Sequence, residues 1–319
     1  MIKRALISAM ALAAVSLVPI GQAAAAAPPS TYRGYQMNMC MWGARYYVKA
    51  GGNGKDTCFP DPHVWKDGAG TLHFESGYTA TEKSVAEQKR QTVIDHVKKF
   101  GPDAVTINEA CKNDLEGIVT ALRAAGLSYT FISYEVGRGT GSKARQCSAG
   151  RGAAVNGIIA HGFQADSKQA GYFETHGYRS WVCGVITSGM RVCTAHLSLP
   201  GQDWGGRVHQ PIECARLRDE LASTGGPVVF SGDVNMKGHK HNCAPSTFWG
   251  LRDLDVKESD RTAQSGLQHI YYSPGYTRGQ TCGEVHHVLH TDHKGFLIDL
   301  KSVPTRTRGM ACTWRDVWK

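Results

Sequence analysis

Residues 102–109 read Pro102-Asp103-Ala104-Val105-Thr106-Ile107-Asn108-Glu109. A short apolar, partly β-branched run is opened by Pro-Asp and ends directly on an amide and a carboxylate. That pattern predicts a buried strand with polar groups at its C-terminal tip. Other runs end the same way. Tyr35–Met41 carries Asn38, Arg191–Leu197 carries His196, and Val228–Ser231 opens into Gly232-Asp233-Val234-Asn235. Near the C-terminus, His290-Thr291-Asp292-His293 precedes the run Gly295–Leu300. A sheet would gather these tips into one cleft.

Further strand-like runs are Tyr129–Tyr134, Ala153–Ala160, Trp181–Thr187 and Leu267–Tyr272. Helical patterns lie between the runs. Thr81–Phe100 places Val85, Val93, Val97 and Phe100 on one side. Asn113–Ala125 has a capping residue at Asn113 and stops at Gly126, and Arg207–Ser223 is the third. Runs of strands interrupted by a few helices predict an α+β chain. The expected form is a four-layered α/β sandwich, two packed mixed β-sheets with helices outside. Residues 28–319 read as a single domain. Gly43–Thr79, Gly-rich and without periodicity, reads as a surface excursion pinned by Cys58.

Residues 1–27 have the anatomy of a secretory signal peptide: Lys3 and Arg4, an apolar run from Ala5 to Ile20, then small residues to Ala27. A secreted, extracellular protein is expected, with no stable membrane anchor. Without Lys3 and Arg4 the formal charge falls from +9 to +7, a balance suited to an anionic polymer or surface. All ten cysteines lie beyond the leader, an even number that reads as a disulfide framework in a monomer. None forms a C-x-x-C pair, which argues against zinc-thiolate sites. Two β-rich runs flank Ser188-Gly189, so a hairpin there would set Cys183 opposite Cys193 and bridge them. Chain order suggests Cys111–Cys147, Cys214–Cys243 and Cys282–Cys312.

Rigid strands tipped with carboxylate, amide and imidazole suit metal-assisted phosphoryl chemistry, because hard oxygen ligands hold Mg²⁺ or Ca²⁺ and the ion offsets phosphate charge. Gly137–Lys143 lacks the P-loop spacing, so no nucleotide cofactor is expected. Arg138, Lys143, Arg145 and Arg151 in and after that loop could contact backbone phosphates. His286, His287, His290 and His293 lie in an extended segment where neighbours face opposite ways, which reads as one catalytic His among surface histidines.

The ordered set Met37-Asn38, Pro102–Glu109, Thr194-Ala195-His196-Leu197, Ser231–Asn235 and Thr291-Asp292-His293 resembles the endonuclease/exonuclease/phosphatase superfamily, the DNase I-like proteins. The likeness spans roughly residues 33–300. It implies a metal-dependent phosphodiesterase using Mg²⁺, with Ca²⁺ and Mn²⁺ as alternatives. Glu109 would be the principal metal carboxylate, steadied by Asn38, with Asp292 contributing from the other side. Asp233 would position and activate water, Asn235 would hold the phosphate or that water, and His196 would stabilise or protonate the departing oxygen. His293 would contact the phosphate or act as a second acid/base. Glu135 is a secondary candidate for pairing with His196. Gln268 stands where the superfamily places an Asp that orients the last His; Asp260 and Glu284 are other acids able to take that part. The resemblance points first to an endonuclease acting on DNA, with RNA as a further substrate. A sphingomyelinase-like or small-molecule phosphoesterase is the alternative, and a catalytically weak binder of anionic surfaces the second.

Overall fold

The structure, a computed structural model, describes residues 29–40, 64–66, 72–74, 78–137, 144–173, 175, 179–201, 206–223, 226–237, 243, 252–253, 267–273, 275–277, 281–286, 291, 293–302 and 313–317. The leader, Cys58, Asp260, Asp292, Cys312, Arg138 and Lys143 lie outside these residues.

The chain runs through β1 (Thr31–Asn38), β2 (Val64–Lys66), β3 (Leu72–Phe74), α1 (Tyr78–Phe100), β4 (Ala104–Cys111), α2 (Lys112–Ala124), β5 (Thr130–Glu135) and β6 (Ala154–Ala160). It continues with β7 (Gln169–Tyr172), β8 (Ser180–Val185), β9 (Arg191–Ala195), α3 (His209–Ala222), β10 (Val228–Asp233), β11 (Arg252–Asp253) and β12 (Gln268–Tyr272). The last strands are β13 (Tyr276–Thr277), β14 (Thr281–His286), β15 (Gly295–Ser302) and β16 (Thr313–Val317).

Two mixed sheets stack face to face. One has the order β16-β14-β15-β1-β4-β6-β5, with β13 paired to β15; the other has the order β11-β12-β10-β9-β8-β7. Between them, Tyr32, Ile158, Phe296 and Ile298 of the first meet Val182, Val192, Val229 and Ile270 of the second. The helices form the outer layers. Val93 and Val97 of α1 and Leu115, Ile118 and Leu122 of α2 pack on Val105, Ile107 and Ile159. Leu217 and Leu221 of α3 cover Trp181, Phe230 and Tyr271. Each such burial stabilises by about 1.5–3 kcal/mol, which is why these faces alternate as the sequence pattern demands.

Within each sheet one parallel pair matters. β1 runs parallel to β4 with Asn38 opposite Asn108, and β9 runs parallel to β10, continued by a bridge between His196 and Asp233. The C-terminal ends of the four strands meet, Asn38 bonding Asp233 and Asn108 bonding the Ala195 carbonyl. Gly232 allows the second pair to close: a Cβ there would lie 2.4 Å from the Ala195 carbonyl oxygen.

The Cys183–Cys193 bridge forms across β8 and β9 with a Cα–Cα distance of 4.1 Å, below a turn that uses Gly189 at φ 91°. Cys111–Cys147 and Cys214–Cys243 form as well. The helix boundaries differ from expectation, α3 by running over His209–Ala222 instead of Arg207–Ser223. α1 begins at Tyr78, not Thr81. α2 begins at Lys112, so Asn113 lies inside its first turn, and its amide donates to the Gly150 carbonyl at 3.2 Å instead of capping. The Gly-rich excursion carries the β2–β3 ladder.

Candidate active site

The strand ends meet in one cleft. In β4 the pairing with β6 breaks between Ile107 and Ala110, and Glu109 takes φ 52°. The bulge re-aims two consecutive side chains. Asn108 turns inward and joins the sheets: its amide nitrogen donates to Asn156 Oδ1 (3.2 Å), Thr194 Oγ1 (3.1 Å) and the Ala195 carbonyl (3.0 Å). Its Oδ1 accepts the backbone N–H of Asp233 at 3.0 Å. Glu109 points the other way, into the cleft, where its Oε1 lies 3.5 Å from His196 Nδ1.

Asp233 is the hub. Its Oδ2 accepts from Asn38 Nδ2 at 3.0 Å and lies 3.4 Å from His293 Nε2 and 3.8 Å from His196 Nε2. Its Oδ1 accepts the Asn235 N–H at 3.0 Å, closing an Asx turn that helps hold Asn235 at φ 55°. Asn235 Nδ2 in turn lies 3.1 Å from His196 Nε2 and donates to the Leu197 carbonyl at 2.7 Å. Asn38 keeps its orientation because its Oδ1 accepts the Cys40 N–H at 2.9 Å. Cys40 has φ 48°, and Lys89, fully buried on α1, donates to its carbonyl at 3.0 Å. Two of the positive-φ residues, Glu109 and Asn235, thus carry side chains of this cleft, and a third, Cys40, orients Asn38, the placement expected where backbone strain serves a site.

The hydrogen-bond pattern assigns the His196 tautomer: Nδ1–H faces Glu109, and Nε2 accepts from Asn235. Burial holds this imidazole well below its ordinary value of 6.5, and the positive charges of Arg179, His293 and Arg145 push it the same way. His196 is therefore neutral at pH 7. The near-neutral value on which an acid role would rest does not apply to it.

Asn38, Glu109, His196, Asp233, Asn235 and His293 are thus brought together. Asp292 lies outside the described residues, although Thr291 donates to the Asn38 carbonyl at 2.8 Å and accepts the His293 N–H at 3.2 Å. Gln268 pairs with Asp233 in the β10–β12 register. Its Nε2 donates to the Lys294 carbonyl at 2.7 Å, and its Oε1 lies 3.1 Å from the Gln36 amide. Glu135 ends β5 exposed, away from these contacts. Arg151 is not on the rim: its guanidinium is buried against Asp114 at 2.9 Å, and Arg90 joins the same carboxylate.

Sequence reasoning missed Gln36 and Arg179, which no motif marks, and Arg145 was read only as a loop cation. Arg179 could have been flagged by its position just before the strand run that begins at Trp181.

Carboxylates, amides, imidazoles and guanidinium groups thus meet at the C-terminal ends of strands from both sheets of the sandwich. The solved structures it is similar to carry the same fold. They include an endonuclease/exonuclease/phosphatase protein from Beutenbergia cavernae (14% identity, 86% of this chain and 72% of that one, TM-score 0.52). The human Nocturnin catalytic domain with bound sulfate is another (12%, 86% and 94%, TM-score 0.54), and a D. rerio TDP2 humanized by 14 mutations a third (15%, 86% and 100%, TM-score 0.51). No protein-family model and no curated protein sequence matches the chain. The chain has the DNase I-like fold of the endonuclease/exonuclease/phosphatase superfamily.

Proposed function

We propose that this protein is a metal-dependent phosphodiesterase whose substrate is nucleic acid. The observation that carries the reading is the convergence of Glu109, Asn38, Asp233, Asn235, His196 and His293 on one cleft, with Arg179 and Arg145 beside it. The fold shared with a protein named as an endonuclease/exonuclease/phosphatase supports it, as does the formal charge of +7 that remains without Lys3 and Arg4.

Mg²⁺ is held by one or two carboxylates and completes its shell with waters and substrate phosphate oxygens. Among the described residues no group of three or more His, Cys, Asp and Glu side chains could hold a metal by itself. The site fits an ion bound in that sparing way through the Glu109 carboxylate, with Asn38 as a further oxygen donor on the neighbouring strand. Once bound, it would offset charge on the phosphate. Ca²⁺ or Mn²⁺ could take the same oxygen donors.

The chain's own groups would then act as follows. Asp233 Oδ2, steadied by Asn38, would accept a proton from the attacking water as its oxygen bonds phosphorus and the ester P–O bond breaks, and His293, 3.4 Å from Asp233, would protonate the departing oxygen. Asn235 and Glu109 would hold the neutral His196 ring in place, and Arg179 and Arg145 would hold the anion. The leader would carry the enzyme out of the cell as a disulfide-bonded monomer.

The test is supercoiled plasmid incubated with the oxidised protein in Mg²⁺, Ca²⁺ or EDTA, beside Asp233→Ala and His293→Ala. Nicking that needs metal and is lost in both variants is the expected result. A folded protein that leaves plasmid intact and releases phosphocholine from sphingomyelin vesicles would replace nucleic acid by lipid as substrate.

A further inference from the structure

The outer edges of the two sheets, β5 and β7, each reach the cleft end of the sandwich with a tyrosine. Tyr134 is the penultimate residue of β5, and Tyr172 ends β7. Their ring centroids are 5.1 Å apart with an interplanar angle of 60°. Tyr134 packs partly on the inter-sheet core, whereas Tyr172 is 37% exposed, one of three large hydrophobic side chains this open among the described residues.

Register ties both to the catalytic end. Tyr134 lies opposite Asn156, whose amide oxygen accepts from Asn108. Tyr172 lies opposite Ser180, and the next residue, Phe173, donates its N–H to the Arg179 carbonyl at 3.1 Å. β5 is two places from β4, and β7 two places from β9. At the usual strand spacing the platform stands about 10 Å to the side of Glu109 and His196. That is the reach of a nucleoside adjoining a phosphate held in the cleft.

We propose that Tyr134 and Tyr172 form a stacking platform for an unpaired nucleobase next to the scissile phosphate. The inference rests on the nuclease reading and deepens it. Glu135, exposed beside the pair, would repel a second phosphate, so the platform takes a base and not the backbone. Burial, then Tyr134 and Glu135, keep the Tyr172 hydroxyl protonated, so the ring adds no charge of its own. Every base presents a π-face, which makes such stacking tolerant of sequence.

The experiment compares wild type, Tyr172→Ala and Tyr172→Phe on a short single-stranded oligonucleotide and on bis-p-nitrophenyl phosphate, which has no base. Tyr172→Ala is expected to raise KM for the oligonucleotide about 10-fold, with kcat, melting temperature and bis-p-nitrophenyl phosphate hydrolysis unchanged. Tyr172→Phe should behave as wild type, and an oligonucleotide abasic beside the cleavage position should erase the difference. Equal losses on both substrates would mean that the ring only seals the sandwich edge, and no loss on either would also overturn the platform. A wild type that hydrolyses bis-p-nitrophenyl phosphate but no oligonucleotide would remove the nuclease reading itself, and the platform with it.

Discussion

Asn235 Nδ2 stands 3.1 Å from His196 Nε2 while it also holds the Leu197 carbonyl at 2.7 Å. One amide therefore fixes both the ring and the backbone that follows it. Because burial keeps His196 neutral, Asn235 has an acceptor to donate to. Asn235→Gly removes the amide yet suits the positive φ of 55°. Hydrolysis by this variant is expected to fall about 100-fold, and its melting temperature should drop as well, because the buried Leu197 carbonyl and His196 Nε2 lose their donor. Retained kcat would show that the reaction does not need the amide's hold on His196.

Gln268 takes hold of the segment that carries His293 through main chain: its Nε2 donates to the Lys294 carbonyl at 2.7 Å. Its Oε1 meets Gln36, whose amide also lies 2.8 Å from Asn108 Oδ1. A buried chain of neutral amides thus links the His293 segment to the Glu109 strand. Replacing Gln268 by Glu removes the donor and adds a buried charge, at a cost of several kcal/mol unless the new carboxyl is protonated. Gln268→Glu is expected to lose stability and activity together, and Gln268→Asp should not raise activity. A gain in kcat on Gln268→Asp would mean that His293 lacks a carboxylate.

These two residues also mark where the sequence stops being legible. The strands that build the sandwich announce themselves by apolar runs, so Ala104–Cys111 and Val228–Asp233 are readable with their polar tips. β7, as Gln169-Ala170-Gly171-Tyr172, has no apolar period, and β14 and β16, at one end of the larger sheet, are short runs in which apolar residues are few. Within the site, Asn108 and Asp233 are visible because strand ends expose them. Gln36 sits mid-strand at the sheet interface, and its role depends on which side chains lie across from it. Arg151 failed for the opposite reason: a basic residue near a Gly-rich loop looks solvated until Asp114 is seen beneath it.

Among the described residues no hydrogen-bond partner reaches the buried Nη1 of Arg179, and its charge acts on His196. A buried guanidinium nitrogen left this way suits an anion that arrives with substrate. Arg179→Met is expected to raise KM for DNA and to lower the slope of log K against log salt by about 1. A KM that rises with an unchanged salt slope would assign Arg179 to packing.

Asp114, fully buried at the start of α2, is shared by Arg90 and Arg151. Burial raises its pKa above 3.8 even though both guanidinium groups oppose the shift. Breaking such a group is costly because a charge is left behind: Arg151→Ala should cost about 3–5 kcal/mol, read as a lower denaturant midpoint. Asp114→Asn with Arg151→Met should recover much of that loss. An Arg151→Ala protein as stable as wild type would place the pair among surface-like contacts.

His96 stacks on Tyr35 with centroids 5.1 Å apart, and burial holds its pKa below 6.5, with Lys99 adding to the shift. In a folded state with a depressed value, the neutral ring is the stable form, so the unfolded chain takes up the proton first as pH falls. The stabilising contribution is therefore complete above 6.5 and is lost as pH drops from there through the folded value. His196 contributes in the same direction. Melting temperature measured from about pH 8 to about pH 5 should fall on the acid side, and His96→Phe, which keeps a ring against Tyr35, should flatten part of that fall. An unchanged acid limb in His96→Phe would leave His196 and the carboxylates as its source.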